Sequence, residues 1–337
     1  MRDIAAEVGT SVMTVSRALN SAPGVSRATT ERVFAAAREL GFRRNDLARG
    51  LRRGEGTGTV GLVLEHATTV FYRSLIAGVE EVAARHGALV MTATSHSAAR
   101  EQASLEALSR SRVDGLLIVP ASTDHSFLRP DHAAGLPIVF VDRAPRGIAA
   151  DCVVADDRGG GHAATSHLLA HGHRDIAVIG GAATADTVAG RVAGHRAALA
   201  GAGLVPDDGL IALDCFDDTA AGDAVSTLLA RRPAPTALFT LNAMCTIAAV
   251  RAVAAAGLAG RVAIVGFDDF DTADLLDPPL TVIHHDITAV GRVAAELLFR
   301  RIAGRDAPPE RIELATALIA RGSGEVPGPH ARSRRAR

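Results

Sequence analysis

The pattern of hydrophobic residues changes near residue 58. Before it, apolar residues recur at helical spacing in short segments within residues 1–45. After it, short continuous apolar runs alternate with amphipathic helical stretches, and such runs are typical of strands buried on both faces. The runs are TVGLVL (59–64), ALVMTA (88–93), GLLIV (115–119), IVFVD (138–142), IAVIGG (176–181), ALFTL (237–241) and VAIVGF (262–267).

This alternation predicts an α/β fold with Rossmann-like parallel sheets and right-handed crossovers. An all-α amino-terminal domain, called the head below, precedes it. Because the runs form two similar series, we expect two lobes within residues 59–322. Lobe 1 is expected at about 59–152 and 286–313, and lobe 2 at about 153–283 and 314–322. Residues 323–337 are rich in Gly, Pro and Arg, and we expect a disordered basic tail.

The pattern of the head, residues 1–45, predicts a helix-turn-helix. Gly9 permits a tight turn after a first short helix, and Ser11 is placed to cap a second. Two short helices joined in this way form the unit that lays its second helix in the DNA major groove. A third helix is predicted from a cap at Ser26 to about Leu40, followed by Gly41. The side chains expected inside are Ile4, Ala5, Val8, Val15, Ala18, Leu19, Val33, Ala37 and Leu40.

The outward face of the second helix then carries candidate DNA contacts. Arg17 is suited to a forked pair of hydrogen bonds with guanine, and Val12 and Met13 to contacts with thymine methyl groups. Hydroxyl groups suited to phosphate contacts come from Ser11, Thr14 and Ser16. The alternative is a plain three-helix core with solvated arginines.

Charge supports a polyanionic partner for the head. The net charge of the chain is only −1, and its 36 basic residues are all Arg. Residues 1–56 hold ten Arg against six acidic residues, whereas the region between this head and the Arg-rich last eight residues is acidic. Chance clustering is the alternative explanation.

Other patterns argue against other classes of protein. Three well-separated cysteines without a CxxC pair, no signal-peptide core and no long apolar run favour a cytoplasmic protein without disulfides. The histidines at 162, 167, 171 and 173 do not show a zinc pattern, and Gly159–Gly161 lacks the dinucleotide-binding spacing. No nucleophile elbow or P-loop is present, so we expect no enzyme, no metal and no cofactor.

Polar side chains gather where the predicted strands end. Ligands of parallel α/β sheets bind beyond the carboxyl ends of the strands, and carboxylates, amides and guanidinium groups with an aromatic plate suit a sugar. Taken singly, a strand-end acid is also a common helix cap. The candidates are Glu65, His66, Asp142, Arg143, Arg191, Asn242, Asp268 and Asp269, with Phe71, Tyr72 and Phe216 as aromatic partners.

The head strings IAAEVGTSVMTVSRALN, GVS and RNDLARGL resemble the amino-terminal segment of the lac repressor / galactose repressor family of bacterial transcription regulators. The resemblance implies a homodimer on a roughly palindromic operator, and makes residues 46–58 a hinge helix and linker. It implies that Leu51 is an apolar wedge for the minor groove, with Ala48 beside it. Asn20 and Asn45 join the expected DNA contacts. Arg44 and Thr30 depart from the usual Pro and Arg.

The rest of the chain, to about residue 322, is similar to the same family, whose effector domain has the fold of periplasmic sugar-binding proteins. VDR (141–143), HLLAHGHRDIAVIGG, VGFDD and DPPLTVIHHD carry this resemblance. It implies effector contacts at Asp142, Arg191, Asn242, Asp268, Phe216 and His285. Ala243 stands where the family has Asp.

We therefore expect a ligand-responsive, sequence-specific repressor. Its partners would be double-stranded DNA, a sugar-like effector and a second copy of the chain, without a membrane. Two alternatives are a solute-binding protein without DNA function and an α/β enzyme acting on sugars.

Overall fold

The computed structural model describes residues 1–19, 22–42, 56–65, 70–95, 97–304 and 307–331. The chain divides into two compact units, Met1–Thr57 and Gly58–Arg337. Each unit has its own hydrophobic core.

The first unit contains three helices: α1 (Arg2–Val8), α2 (Val12–Leu19) and α3 (Arg27–Glu39). Gly9 turns the chain after α1 with a left-handed φ of 67°. The Ser11 hydroxyl then accepts a hydrogen bond from the Thr14 amide at 3.0 Å, which caps α2. The predicted helix-turn-helix geometry is confirmed, and its buried side chains are Ile4, Ala5, Val8, Val15, Ala18, Leu19, Val33, Ala36 and Ala37.

The end of α3 corrects one expectation. Ser26 caps the helix as predicted, since its hydroxyl accepts from the Thr29 amide at 3.2 Å. Leu40 was expected inside but is 48% exposed, because α3 ends at Glu39 and the chain turns away at Gly41. Phe42 packs against the core after that turn.

The second unit contains two six-stranded sheets. The strands of sheet 1 are β1 (Thr59–Leu64), β2 (Leu89–Thr94), β3 (Leu116–Ile118), β4 (Ile138–Val141), β5 (Asp151–Ala155) and β11 (Arg311–Leu314). Those of sheet 2 are β6 (Ile176–Ile179), β7 (Ile211–Ala212), β8 (Ala237–Thr240), β9 (Ala263–Phe267), β10 (Thr281–His284) and β12 (Ala317–Ile319). Sheet 1 has the order β11-β5-β4-β3-β1-β2 and is parallel throughout. Sheet 2 has the order β12-β10-β9-β8-β6-β7 and is parallel except for β12.

Helices cover both faces of each sheet, which confirms the predicted two-lobed α/β fold class. They are α4 (Val70–Arg85), α5 (Ala98–Arg110), α6 (Arg129–Ala133), α7 (Asp157–Ala170), α8 (Asp186–Gly201), α9 (Asp218–Leu229), α10 (Ala243–Ala255) and α11 (Ile287–Ile302). Short 3₁₀ turns occur at Ser126–Leu128, Asp208–Leu210 and Ala273–Leu275.

The chain passes between the two lobes three times: after β5, after β10 and between β11 and β12. The sequence-based boundary at residue 152 falls inside β5, because β5 pairs with both β4 and β11 and so belongs to lobe 1 through Ala155.

The expected disorder from residue 323 is wrong for residues 323–331. The Ser323 hydroxyl donates to the Ile264 carbonyl at 2.6 Å, His173 Nε2 bonds the Val326 carbonyl at 2.8 Å, and the Gly328 amide donates to His171. Lobe 2 thus supplies the partners that the Gly- and Pro-rich composition alone did not reveal. The remaining tail, 332–337, lies outside the described residues.

Glycines let one helix pair in each lobe approach closely. A Cβ on Gly161 of α7 would lie 2.2 Å from the Arg191 carbonyl, and one on Gly194 of α8 would lie 2.1 Å from the Arg158 carbonyl. Gly78 of α4 and Gly291 of α11 make the equivalent close approach in lobe 1. Gly161 of the glycine run 159–161 therefore serves helix packing, and together with Gly194 it lets α7 and α8 approach closely.

None of the described helices combines the length and the apolar character that crossing a bilayer requires. The three cysteines are buried and unpaired with one another.

Candidate functional sites

Helix α2 presents an apolar and cationic face to solvent. Val12 is 44% exposed and Met13 is 72% exposed, although both are large hydrophobic residues. Arg17 is exposed on the same face, and its Nη2 donates to the Pro23 carbonyl at 2.5 Å. The outward direction predicted for these three side chains is confirmed, so the face is free to meet a partner.

The hydroxyl residues of α2 differ in their accessibility. Ser11 is exposed, whereas Thr14 and Ser16 are half-buried. The Ser11 and Thr14 hydroxyls lie 2.9 Å apart and hydrogen-bond each other. Four further predicted DNA contacts, Asn20, Asn45, Ala48 and Leu51, lie outside the described residues.

A cavity of about 760 Å³ lies between the two lobes, at the carboxyl ends of the strands. This volume is within the usual range of small-molecule sites. Ten of the twelve candidates named from the sequence line it: Glu65, Phe71, Tyr72, Asp142, Arg143, Arg191, Phe216, Asn242, Asp268 and Asp269. His285 lies behind Asp268, with its Nδ1 3.6 Å from Asp268 Oδ1. His66 lies outside the described residues.

Lobe 1 contributes a paired arginine. Arg143 Nη2 donates to Glu65 Oε2 at 3.0 Å, and its Nη1 donates to the Pro120 carbonyl at 2.5 Å. Its Nε is 3.5 Å from Asp142. Burial raises the pKa of the Asp142 carboxyl, while the adjacent Arg143 lowers it. Arg143 thus already faces the carboxyl groups of Glu65 and Asp142.

Lobe 2 contributes a second arginine, Arg191, which is buried and paired with a carboxylate. Arg191 Nε donates to Asp157 at 2.8 Å, and its Nη1 donates to the Leu241 carbonyl at 2.5 Å. The guanidinium lies 3.6 Å from the centre of the Phe267 ring. Burial raises the pKa of Asp157 to about 6, against the lowering effect of Arg191.

Two buried polar atoms beside Arg191, Asp268 Oδ1 and His285 Nδ1, have no hydrogen-bond partner among the described residues. Burial lowers the pKa of His285, which favours the neutral ring. Buried polar atoms are normally hydrogen-bonded, and these two lie 3.6 Å apart, just beyond hydrogen-bond distance of each other.

The remaining predicted residues form the walls. Phe71 and Tyr72 meet edge to face at 5.0 Å, and Tyr72 is buried, which raises the pKa of its phenol. Phe216 is 72% exposed on the opposite lobe and faces the open cavity. Asn242 caps α10, because its Oδ1 accepts from the Cys245 amide at 2.8 Å. Its other amide atom, Nδ2, is the hydrogen-bond donor that remains.

Sequence reasoning missed several residues of the site. Asp157 follows β5, a strand that the hydrophobic pattern did not reveal. The loop 120–123 follows β3 and lines the cavity without any charged residue to draw attention. Arg146 and Asp186 also line it and form an ion pair across the two lobes.

A second ion pair joins the lobes nearby, since Arg73 Nη2 of α4 lies 2.8 Å from Asp271, which follows β9. Among the described residues, no group of three or more His, Cys, Asp or Glu side chains is arranged to hold a metal ion.

Two family profiles match the chain. Residues 1–45 match the profile described as "Bacterial regulatory proteins, lacI family". Residues 57–321 match "Periplasmic binding proteins and sugar binding domain of LacI family". The chain belongs to the lac repressor / galactose repressor family. Membership confirms the resemblance drawn from the head and body motifs.

Relatives within this family match over nearly their whole length. The ribose operon repressor of Escherichia coli (strain K12) is 34% identical over 328 residues, 96% of this chain and 99% of the relative. A structure of a transcriptional regulator CelR–cellobiose complex is 32% identical, covers 95% of this chain and 98% of that chain, and has a TM-score of 0.74.

The lac repressor dimer bound to operator and an anti-inducer is 24% identical, with a TM-score of 0.83 over 96% of this chain and 98% of that chain. At this identity the likeness confirms the fold alone. The relatives named above are regulators of transcription rather than enzymes, in agreement with the sequence-based prediction.

Proposed function

We propose that this member of the lac repressor / galactose repressor family is a repressor that binds operator DNA as a homodimer, and that a sugar-like effector sets its affinity for that DNA. One observation carries the proposal. The chain contains a helix-turn-helix, whose second helix exposes Val12, Met13 and Arg17 to solvent. The same chain contains a domain with a polar cleft of about 760 Å³.

Each region has a role in this proposal. Residues 1–45 read the DNA, residues 46–58 act as hinge and linker, and residues 59–322 bind the effector. The hinge roles of Ala48 and Leu51 rest on the family resemblance. A repressor meets its operator on the chromosome, so we place the protein in the cytoplasm.

Direct readout is assigned to the exposed face of α2. Arg17 reads guanine once it exchanges the Pro23 carbonyl for base edges, and Val12 and Met13 contact thymine methyl groups. Ser11, Thr14, Ser16 and the amides of Asn20 and Asn45 contact the backbone and fix the register.

An uncharged polyhydroxyl effector fits the cleft best. Each described arginine that lines the cavity already faces a carboxylate: Arg143 with Glu65, Arg146 with Asp186 and Arg191 with Asp157. A phosphate or carboxylate would have to displace these partners. Ligand hydroxyls, which both donate and accept, meet Asp268, Asp142 and the Asn242 amide without breaking an ion pair.

Phe216 and Phe71 supply apolar surfaces on opposite lobes for the faces of a sugar ring. His285 lies behind Asp268, outside the cavity lining. Control of DNA affinity follows if the effector binds one arrangement of the two lobes more tightly than the other, because an effector shifts an equilibrium only by its differential affinity.

The test combines DNA selection with ligand binding. The full chain selects duplexes from a randomised library, and the selected DNA is titrated with and without D-ribose, cellobiose and D-ribose 5-phosphate while calorimetry measures sugar binding. We expect a pseudo-palindromic sequence, binding of a neutral sugar and a changed DNA affinity. Sugar binding without any DNA selection would instead support a solute-binding protein. Preference for the phosphate over the neutral sugar would overturn the effector class.

A further inference from the structure

Lobe 1 contains a buried carboxylate that lies outside the cavity lining. Glu101 of α5 is fully buried. Its Oε2 accepts from the Ala121 amide at 2.5 Å, and its Oε1 accepts from the Ser122 amide at 3.3 Å. Oε1 also bonds His125 Nε2 at 3.0 Å. A single buried side chain thus holds both ends of the loop at residues 121–125.

The loop held in this way is a wall of the cleft. Pro120, Ala121, Ser122 and Thr123 all line the cavity. Among the described residues, Glu101 provides the side-chain acceptor for both the Ala121 and the Ser122 amide. Without Glu101, these two donors would face the lobe interior or turn toward the cavity.

The same loop anchors the arginines of lobe 1. The Pro120 carbonyl accepts from Arg143, and the His125 amide donates to the Arg146 carbonyl at 2.9 Å. Gly147 then packs against the Asp124 carboxylate so closely that a Cβ would overlap it. The contacts run from Glu101 through the loop to the two arginines that face the cavity.

We propose that Glu101, with His125, is a positioning pair that sets the geometry of the effector site from behind its wall. This inference rests on the proposed function for the ligand, but its structural part stands on the contacts alone. Burying a carboxylate is unfavourable unless it is well hydrogen-bonded, and three donors meet this one. His125 packs edge to face on Phe140 at 4.9 Å, which fixes the ring plane that meets Glu101.

The test is Glu101→Gln with a matched control in the same lobe. Gln has the same shape but replaces one acceptor oxygen with an NH₂ group, so at least one of the three donors loses its partner. The control is Asp151→Asn at the start of β5. Asp151 is equally buried, accepts from the Glu310 amide at 2.7 Å and pairs with Arg301, and it does not line the cavity.

We expect both variants to lower the melting temperature, but only Glu101→Gln to weaken D-ribose or other effector binding by about tenfold. Hydrogen exchange of the unliganded protein should rise at the Ala121 and Ser122 amides in Glu101→Gln and not in Asp151→Asn. The proposal would be contradicted if Glu101→Gln and Asp151→Asn bound the effector equally well and hydrogen exchange at the Ala121 and Ser122 amides did not change. The role of Glu101 would then be purely structural.

His125→Phe provides a second variant if Glu101→Gln does not fold. It keeps the aromatic packing on Phe140 and leaves both backbone donors to Glu101, so we expect a smaller loss of effector affinity, about threefold, with normal folding. Unchanged effector affinity in His125→Phe would contradict the proposal that Glu101 and His125 act as a pair. If the wild-type chain binds none of the sugars, the proposed function fails, whereas the exchange comparison still decides whether Glu101 holds the loop.

Discussion

Asp142 and Asp268 occupy equivalent places in the two lobes. Each follows a buried strand, β4 or β9, and each has a left-handed φ, 70° and 71°. The Asp142 amide donates to Val153 and the Asp268 amide donates to Ile283, so the backbone turns while it stays bonded to the next strand. Non-glycine residues in this conformation are strained and concentrate at functional sites. The strain directs both carboxylates into the cleft.

At the residue scale, Arg17→Ala tests base readout. The test compares the selected DNA with a duplex in which another base replaces the contacted guanine. Loss of a forked hydrogen-bond pair should reduce the difference in binding free energy between these two duplexes by about 1–3 kcal/mol. Fluorescence anisotropy at fixed salt measures both affinities. The control is Arg27→Ala, because Arg27 of α3 is exposed and its ion pair among the described residues is with Glu31 on its own helix. Equal weakening on both duplexes would exclude base readout by Arg17.

His195 predicts a pH dependence of stability. It is 2% exposed in α8 and bonds Thr165, and burial lowers its pKa to about 4 from an ordinary 6.5. As the pH falls below 6.5, His195 becomes protonated in the unfolded chain but stays neutral in the folded chain. The contribution of His195 to the free energy of unfolding is therefore present above pH 6.5 and is lost between pH 6.5 and pH 4. Relative to His195→Gln, the wild type should lose about 2 kcal/mol between pH 7.5 and pH 5 in urea unfolding. A constant difference between the two proteins would contradict this.

At the element scale, the close helix pairs make the site dependent on small residues. Helix α8 carries Arg191 and α7 carries Asp157, and their separation is set where Gly161 and Gly194 face the neighbouring backbone. Backbone atoms cannot rotate away as a side chain can, so the helices themselves would have to move apart to admit a methyl group.

Gly194→Ala should therefore destabilise the protein by about 1–3 kcal/mol and weaken effector binding, because the Arg191–Asp157 geometry changes with the helix spacing. Thermal unfolding and calorimetry measure the two effects. Gly222→Ala in α9 is the control, since a Cβ there meets nothing within 4 Å. We expect the control to be neutral or up to about 1 kcal/mol more stable, from helix propensity. The opposite ranking of the two variants would contradict the packing argument.

The elements that the sequence predicted are those with strong local signals. All seven long apolar runs form strands. Six of these strands are buried, but the expected burial on both faces is wrong for β2, which lies at the edge of sheet 1 and leaves Leu89 73% exposed. β7 has two residues, and β11 (RIEL) and β12 (ALI) are short and half-exposed, so their identity depends on partners far away in the chain. β11, for example, pairs with β5.

The residues of the effector site also divide into those with a strong local signal in the sequence and those without one. The acids that end strong strands, such as Asp142 and Asp268, were predictable from the chain. Asp157 was not, because it follows β5, and neither was the loop 120–123, because its role depends on Glu101 behind it. Arg146 and Asp186 meet only when the two lobes face each other, which no local pattern encodes.

At the scale of the whole molecule, the proposed control requires the lobes to move at the three passes of the chain between them. We expect the two interlobe ion pairs found among the described residues to oppose opening. Arg73–Asp271 is the one outside the cavity lining. Asp271→Asn should speed effector dissociation up to about fivefold, as an exposed pair contributes about 0.2–1 kcal/mol. Stopped-flow displacement measures the rate, and the Arg73→Asp/Asp271→Arg exchange should restore it.

Glu296→Gln is the matched control for that ion pair, because Glu296 pairs with Arg85 on the surface of lobe 1 alone. It should leave the dissociation rate unchanged. Equal effects of Asp271→Asn and Glu296→Gln would show that the interlobe pair has no special part in closure.

The central claim is a coupling between the cleft and the exposed face of α2. The most direct measurement is the Kd of the full chain for its selected duplex, at fixed salt, without effector and with the effector at saturation. The account predicts a change of at least about tenfold, and an equal change in effector affinity when DNA is present. An unchanged Kd, with calorimetry showing the effector bound, would contradict it.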